Sequence, residues 1–178
     1  LEPEVVDLAG FINCMGGRVS SAGSNVIKVE GVDSLAGTTY TPIPDRIEAG
    51  TYMVAAAASG GDVIINNVIP EHLKATTAKL IESGAQVEEQ ADAIHVSRWQ
   101  EIRPVYIKTL PYPGFPTDMQ AQFMAYLCAA RGSSIVTESV FENRFMHVNQ
   151  LLRMGAQITT EGRTAVIRGI PQLSGATV

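Results

Sequence analysis

Hydrophobic and polar residues alternate along this chain with two different periods. Runs with apolar residues three to four positions apart predict helices, and shorter runs with apolar residues at every second position predict strands. Together they predict a unit with the order helix, strand, helix, strand, strand, strand. Its elements are expected at Arg46–Ala58, Val63–Asn67, Glu71–Ser83, Gln86–Glu89, Ala93–Ser97 and Val105–Thr109.

A second unit follows the first, and a partial unit precedes it. The second unit has expected helices at Asp118–Ala130 and Glu142–Met154, and expected strands at Ser134–Glu138, Gln157–Thr160 and Thr164–Arg168. The residues before Pro44 fit only the back half of a unit, with a helix at Pro3–Met15 and strands at Arg18–Ser20 and Val26–Glu30. The pattern therefore predicts an α/β (or α+β) protein built from repeats.

Short sequence matches support the repeat. Gly16, Gly84 and Gly155 stand in the similar stretches MGGRV, SGAQV and MGAQI, at intervals of 68 and 71 residues. A glycine can adopt the left-handed backbone conformation that closes a helix, so each is expected to end one. Two further pairs match at compatible spacings: Gly31–Thr38 with Gly169–Ala176, and Pro44-Asp45 with Thr117-Asp118.

The repeats are out of phase with both ends of the sequence. It begins at Leu1, inside a unit and without a Met, and it ends at Val178, where the next aspartate-led helix is expected. We therefore expect the chain to be a piece of a longer protein.

Composition and charge narrow the classes of function. A net charge of −5 argues against a nucleic-acid surface and against a polybasic membrane surface. No apolar run approaches the roughly 20 residues that span a bilayer, and no signal peptide is recognisable. Cys14 and Cys128 lie among apolar residues, which predicts two buried thiols in a reducing compartment. The three histidines lack the spacing of metal ligands, and no phosphate-binding or dinucleotide-binding glycine motif is present.

The sharpest candidate for chemistry is Asp118, in the segment Phe115–Gln122, with three prolines shortly before it at positions 111, 113 and 116. A carboxylate at a helix N-terminus is stabilised as an anion, and it can accept a proton from a substrate hydroxyl placed against it. The alternative, that Asp118 only caps the helix, stays open at this point.

A second candidate is Arg144, in the polar segment Phe141–His147 that follows a predicted strand. Its guanidinium could hold a substrate carboxylate or phosphate with two hydrogen bonds. The alternative is an internal ion pair with Glu142, Glu138 or Asp118.

A third segment, Pro42–Gly50, contains two prolines and a helix start at Asp45, with Glu48 three positions on as in a capping box. It fits a hinge or domain junction at Asp45 and Arg46, and equally a capped helix with no other role.

Three of these motifs together resemble the UDP-N-acetylglucosamine enolpyruvyl transferase family: PDRIEAG at residues 44–50, FPTDMQAQ at 115–122 and FENRFMH at 141–147. EPSP synthase shares the fold and chemistry of that family, but these motifs are not characteristic of it. The resemblance implies two domains, each an inside-out α/β barrel of three βαβαββ units, which this chain leaves incomplete. Residues 1–43 would end one domain, and residues 44–178 would supply two units of the other.

The resemblance also implies an activity. The family transfers the enolpyruvyl group of phosphoenolpyruvate to a hydroxyl of UDP-N-acetylglucosamine and releases phosphate, with no metal or other cofactor, in the cytoplasm, as the first committed step of peptidoglycan synthesis. No nucleic-acid or membrane partner is expected. The alternatives are an EPSP synthase-like transferase and a non-catalytic repeat module that binds a ligand or partner.

Site residues follow from the resemblance position by position. Asp118 matches the family's base, and Val140 matches a backbone contact to the sugar nucleotide. The other matched positions line the cleft or the domain junction: Phe141, Glu142, Arg144, Asp45 and Arg46.

Several family features have no match in this sequence. These are a lysine–asparagine pair, the mobile loop with the reactive cysteine that fosfomycin modifies, and the arginines that clamp phosphoenolpyruvate. We therefore expect this chain to be inactive alone and to need the rest of a parent chain to complete the active site.

Overall fold

The computed structural model describes residues 1–177 and consists of two compact units, Leu1–Pro44 and the part from Asp45 onward. The first unit contains one helix, α1 (Pro3–Cys14), and a two-stranded antiparallel sheet of β1 (Arg18–Ser20) and β2 (Lys28–Glu30). These elements agree with the predicted order helix, strand, strand.

Side-chain hydrogen bonds hold the first unit together. The Asn13 amide bonds both the N–H and the carbonyl of Val19 at 2.7 Å, which joins the end of α1 to β1. The Tyr40 hydroxyl donates to the Asp7 carboxylate at 2.8 Å. That bond returns residues 31–44, which contain no helix or strand, to the first turns of α1.

The second unit, described from Asp45 to residue 177, contains four helices, two 3₁₀ turns and seven strands. The helices are α2 (Arg46–Ser59), α3 (Lys74–Glu82), α4 (Gln120–Leu127) and α5 (Val148–Arg153). The 3₁₀ turns, Pro70–Leu73 and Thr117–Met119, lead into α3 and α4. The strands are β3 (Asp62–Asn66), β4 (Gln86–Glu89), β5 (Ala93–Ser97), β6 (Tyr106–Lys108), β7 (Ser133–Thr137), β8 (Gln157–Glu161) and β9 (Thr164–Arg168).

Two sheets organise this unit. One has the order β3-β5-β4 and is antiparallel throughout, and the other has the order β6-β7-β9-β8. Strands β6 and β7 are parallel, with Lys108 opposite Thr137 at their carboxyl ends. Neither sheet closes into a barrel within residues 45–177.

The repeat differs in phase from the sequence interpretation. We grouped the strand near Val105–Thr109 with the first repeat, but β6 pairs with β7 and belongs to the sheet of the second. The second repeat therefore has the order β6-α4-β7-α5-β8-β9, which is strand, helix, strand, helix, strand, strand. A strand's sheet is decided by its hydrogen-bond partner, which a run of alternating residues does not reveal.

The predicted helix Glu142–Met154 is wrong over its first half, because α5 begins only at Val148. Residues 141–147 form an irregular loop instead. Two of the N–H groups near the predicted start, those of Val140 and Phe141, bond the Glu138 carboxylate. A side chain that captures backbone donors in this way offers the chain an alternative to helix.

The other predicted boundaries hold to within a few residues, and the repeated glycines close helices as expected. Gly16, Gly84 and Gly155 have φ of +91°, +102° and +88°, in the region that glycine adopts without strain. Asp45 caps α2, because its Oδ1 accepts from the N–H groups of Ile47 and Glu48 at 2.7 and 3.1 Å.

One apolar core lies between the helices and sheets of the second unit. Met53 of α2 and Phe123 of α4 are fully buried in it, and the ring of Phe115 stands edge-on to Phe123 with centroids 5.0 Å apart. Tyr126, also buried, bonds the Ser83 hydroxyl at 2.9 Å. Burial of this kind stabilises each large side chain by about 1.5–3 kcal/mol.

The two cysteines differ, which corrects the expectation of two buried thiols. Cys14 is exposed at the end of α1, whereas Cys128 is completely buried after α4. Burial raises the pKa of the Cys128 thiol to about 11, so it is unreactive at neutral pH. Among residues 1–177, no helix has the length and apolar character that crossing a bilayer requires.

Candidate functional site

Five of the seven candidate residues lie in or next to the segments at one edge of the four-stranded sheet, and the other two, Asp45 and Arg46, lie at the start of α2. The parallel strands β6 and β7 end side by side, and the segments that leave them are 109–116 and 138–147. Ligands of α/β proteins bind outside the carboxyl ends of parallel strands, since the loops there leave backbone and side-chain groups open. Asp118 follows the first segment and Arg144 lies in the second.

Asp118 and Arg144 form an ion pair. Arg144 Nη2 lies 2.5 Å from Asp118 Oδ1, and the two side chains are 35% and 51% exposed. Asp118 caps no helix. It lies inside the 3₁₀ turn, whose N-cap position is Pro116, and no side chain caps that turn or the start of α4. The cap alternative for Asp118 is therefore wrong, and the internal ion pair considered for Arg144 is confirmed. Asp118 Oδ2 has no hydrogen-bond partner within residues 1–177.

The loop after β7 presents an aromatic and an apolar side chain beside this pair. The guanidinium of Arg144 lies over the Phe141 ring, 5.1 Å from its centroid, where a cation is attracted to the π face. Val140 and Phe141 are exposed. Their N–H groups are both taken by Glu138, so this backbone offers carbonyl oxygens to a ligand and not donors.

Glu142 makes no ion pair with Arg144 and instead contacts a residue of another turn. Its carboxylate pairs with Arg163, on the turn between β8 and β9, at 3.3 Å, and it is 90% exposed. Such an exposed pair contributes little to stability. Glu142 thus lies in the same loop as Arg144, but its partner, Arg163, lies outside the two segments that contain Asp118 and Arg144.

Asp45 and Arg46 lie at the start of α2, where Asp45 is the cap described above. Arg46 is buried, with its guanidinium 5.5 Å from the centre of the Tyr112 ring. Around it is a small cleft whose other walls include Glu71, His72, Thr76 and Gly114. Arg46 therefore lies against the loop that leads to Asp118, with a role in packing that loop.

Sequence analysis missed the residue that joins the two segments, Glu138. It is 1% exposed and follows β7 directly. Its carboxylate accepts five hydrogen bonds, from Thr109 Oγ1, Val140 N, Phe141 N, Thr117 Oγ1 and Gln120 Nε2. The available signal was a lone carboxylate at the end of an apolar strand, which we considered only as a possible partner of Arg144.

Two pKa shifts characterise the surroundings. Burial by itself raises the pKa of the Glu138 carboxyl, but the hydrogen bonds from Phe141, Thr109, Thr117 and Val140 outweigh it, and the pKa lies below its usual value. His147 is half-buried, and burial together with the nearby Arg144 charge lowers its pKa. At neutral pH the Glu138 carboxyl is therefore ionised and the His147 imidazole is neutral.

No group of three or more metal-binding side chains occurs in residues 1–177. A model of the family described as EPSP synthase (3-phosphoshikimate 1-carboxyvinyltransferase) matches residues 1–178.

The chain belongs to the EPSP synthase family.

Curated relatives that are more than half identical to this chain include several UDP-N-acetylglucosamine 1-carboxyvinyltransferases. UDP-N-acetylglucosamine 1-carboxyvinyltransferase 1 of Carboxydothermus hydrogenoformans is 56% identical over 177 residues, which are 99% of this chain and 42% of the relative. The UDP-N-acetylglucosamine 1-carboxyvinyltransferase of Desulfofundulus thermocisternus is 56% identical over 173 residues, which are 97% of this chain and 71% of the relative. The resemblance read from the motifs is thereby confirmed. The chain spans about two fifths of the length of the relatives from Carboxydothermus hydrogenoformans, Caldanaerobacter subterraneus and Clostridium botulinum.

Two solved structures, an enolpyruvyl transferase and an EPSP synthase, share the fold. The enolpyruvyl transferase NikO from Streptomyces tendae superposes with a TM-score of 0.79 at 23% identity, over 96% of this chain and 41% of that one. EPSP synthase from Acinetobacter baumannii superposes with a TM-score of 0.65 at 22% identity, over 92% of this chain and 40% of that one. The mixed α/β class is therefore confirmed.

Proposed function

We propose that this chain is part of an enzyme that transfers the enolpyruvyl group of phosphoenolpyruvate to a hydroxyl of UDP-N-acetylglucosamine. The observation that carries the proposal is the Asp118–Arg144 pair at the carboxyl edge of β6 and β7. Asp118 is free of the capping role that its sequence position suggests, and its repeat counterpart Asp45 performs that role instead.

Asp118 has the features of a proton acceptor. Arg144 holds Oδ1, which orients the carboxylate, and Oδ2 has no protein partner in the described chain. About half of the side chain is exposed, so a substrate hydroxyl can reach it. A carboxylate within hydrogen-bond distance of a hydroxyl can take its proton as the oxygen attacks carbon 2 of phosphoenolpyruvate.

The reaction balances as addition followed by elimination. The attacking oxygen bonds to carbon 2, a proton is added to the methylene carbon, and loss of that proton with the phosphate leaves the enol ether and inorganic phosphate. In this scheme Asp118 accepts the hydroxyl proton, while Val140 and Phe141 contact the sugar nucleotide. No group in this chain is assigned to protonating the methylene carbon or to clamping phosphoenolpyruvate.

The remainder of the proposed enzyme follows from the relatives' greater length. We expect further chain to supply the proton donor and the phosphoenolpyruvate contacts, and to complete an inside-out barrel with a third unit. The proposal includes a cytoplasmic role in the first committed step of peptidoglycan synthesis. It also implies that these 178 residues alone do not turn over substrate.

The test is an assay of phosphate release by the full-length protein that contains this chain. We expect release from phosphoenolpyruvate when UDP-N-acetylglucosamine is the acceptor, none with 3-phosphoshikimate, and none from the 178-residue chain with either. Release with 3-phosphoshikimate alone would favour an EPSP synthase-like acceptor. Absence of release with both, together with calorimetric binding of UDP-N-acetylglucosamine, would favour a binding module.

A further inference from the structure

Glu138 is the one acidic side chain that is buried in residues 1–177. A buried carboxylate is costly unless hydrogen bonds compensate for its lost hydration. Here five donors surround it, three on Oε1 and two on Oε2, at 2.8 to 3.1 Å. Hydrogen bonds to a charged acceptor are stronger than neutral ones, so the cluster resists rearrangement.

The five donors come from three separate segments. Thr109 follows β6. Thr117 begins the 3₁₀ turn that contains Asp118, and Gln120 follows that turn. The N–H groups of Val140 and Phe141 begin the loop that contains Arg144. Glu138 therefore links the segment that contains Asp118 to the segment that contains Arg144, although it bonds neither of those two residues directly.

The bond to Thr109 extends the cluster. Thr109 Oγ1 donates to Glu138 Oε1 and also accepts from the N–H of Ser139 at 2.9 Å. The Ser139 hydroxyl donates in turn to the Thr109 carbonyl. Three consecutive N–H groups, of Ser139, Val140 and Phe141, are thus bound before the loop reaches Arg144.

We propose that Glu138 is a positioning residue of the active site, which fixes the loop 139–147 against the turn 117–120 and thereby sets where Val140 and Arg144 stand relative to Asp118. This inference rests on the proposed function for its catalytic meaning. It does not place Glu138 in contact with substrate, since its side chain is fully enclosed and all of its bonds are internal.

Glutamine at position 138 is the conservative variant. Its Oε1 can accept the bonds from Thr109, Val140 and Phe141 as before. Its Nε2 would face Gln120, whose buried Oε1 has no hydrogen-bond partner now and could accept after a rotation of that amide. Glu138→Gln thus retains the loop's acceptor, whereas Glu138→Ala removes all five bonds.

The experiment uses the full-length protein with Glu138→Ala, Glu138→Gln and a control, Tyr126→Phe. The control loses a buried hydrogen bond to Ser83 in the same unit, away from the loop. Amide hydrogen exchange at Val140 and Phe141 measures loop fixation without substrate. The KM for UDP-N-acetylglucosamine and kcat measure its consequence.

We expect Glu138→Ala to speed exchange at both amides by about tenfold or more and to raise KM by about tenfold, because both amides lose their charged acceptor. Glu138→Gln should recover most of both, and Tyr126→Phe should change neither. Unaltered exchange in Glu138→Ala, or a KM shift no larger than that of Tyr126→Phe, would overturn the proposal. A wild-type protein without transferase activity would refute the proposed function, while the exchange rates would still decide whether Glu138 fixes the loop.

Discussion

The two repeats of the second unit contain equal lengths of chain but build different structures from it. Nineteen residues separate β3 from β4, and nineteen separate β7 from β8. In the first repeat, residues 70–82 of this stretch are 3₁₀ turn and helix, whereas in the second only α5, residues 148–153, is helical. The candidate site loop is thus made by leaving part of a helix unwound, without an insertion.

Corresponding positions show why. At the offset of 71 residues that separates β3 from β7 and β4 from β8, Glu138 corresponds to Asn67. Asn67 has a φ of +56° and turns the chain toward the 3₁₀ turn at Pro70. Proline at the first position of a helical segment has a suitable φ and lacks a donor that would otherwise be unpaired. In the second repeat, Glu138 binds two backbone donors and Asp118 binds Arg144. Side-chain bonds there replace the helical ones.

The largest expected effect concerns the pair of aspartates that correspond between the repeats. Asp118→Ala in the full-length protein should lower kcat by about 10²- to 10⁴-fold, because a proton acceptor is lost. Its free energy of unfolding should change far less. Steady-state phosphate release and urea unfolding measure the two quantities. Equal losses of activity and stability would mean that Asp118 is structural.

For stability, we expect the larger effect at Asp45 and the smaller one at Asp118. Asp45→Ala should lower the free energy of unfolding by about 1 kcal/mol, since it removes the cap of α2. Asp118→Ala removes only a partly exposed ion pair and should cost about 0.5 kcal/mol or less. Urea titration of both variants under the same conditions makes the comparison, and a larger loss in Asp118→Ala would contradict it.

His95 of the first repeat and His147 of the second should make the free energy of unfolding depend on pH in opposite directions. A bond to Asp62, at 2.5 Å, raises the pKa of His95 in the folded state, so its contribution is complete below about pH 6.5 and is lost as pH rises through the raised pKa. Burial and Arg144 lower the pKa of His147, so stability is lost as pH falls below about 6.5 toward the lowered pKa.

Urea midpoints between pH 5 and 8.5 test this in His95→Gln and His147→Gln. Relative to the wild type, His147→Gln should lose the acid-side decline and His95→Gln should lose the alkaline-side decline. Two variants whose difference from the wild type changes with pH in the same direction would contradict the assignment.

The smallest effect is expected for the replacement of Asn67 by glycine. Asn67→Gly should change the free energy of unfolding by about 0.5 kcal/mol or less, because glycine adopts a positive φ freely and Asn67 is exposed. Asn67→Val should cost about 1–2 kcal/mol, since the left-handed conformation crowds its Cβ. Thermal unfolding of the two variants measures the difference, and equal midpoints would show that the tight turn after β3 is not required.

Some candidate residues were predictable and others were not, for reasons that can be stated. Asp118 and Arg144 stood out as polar residues beside predicted strands, but the sequence left each with a structural alternative. The contact between them joins residues 26 positions apart, which no local pattern encodes. Glu138 was overlooked because burial gives it its importance, and its neighbours come from segments up to 29 positions away.

The sequence by itself determined the repeat, the helix-closing glycines, the cap at Asp45 and the family. These depend on short-range periodicity, on backbone conformations that one residue type prefers, and on motifs of a few adjacent residues. Only the tertiary structure decided that β6 pairs with the second repeat, that residues 141–147 leave the helix, and that Glu138 links the loop to the Asp118 turn. Each of these depends on hydrogen bonds between distant segments, whose partners are chosen when the chain packs.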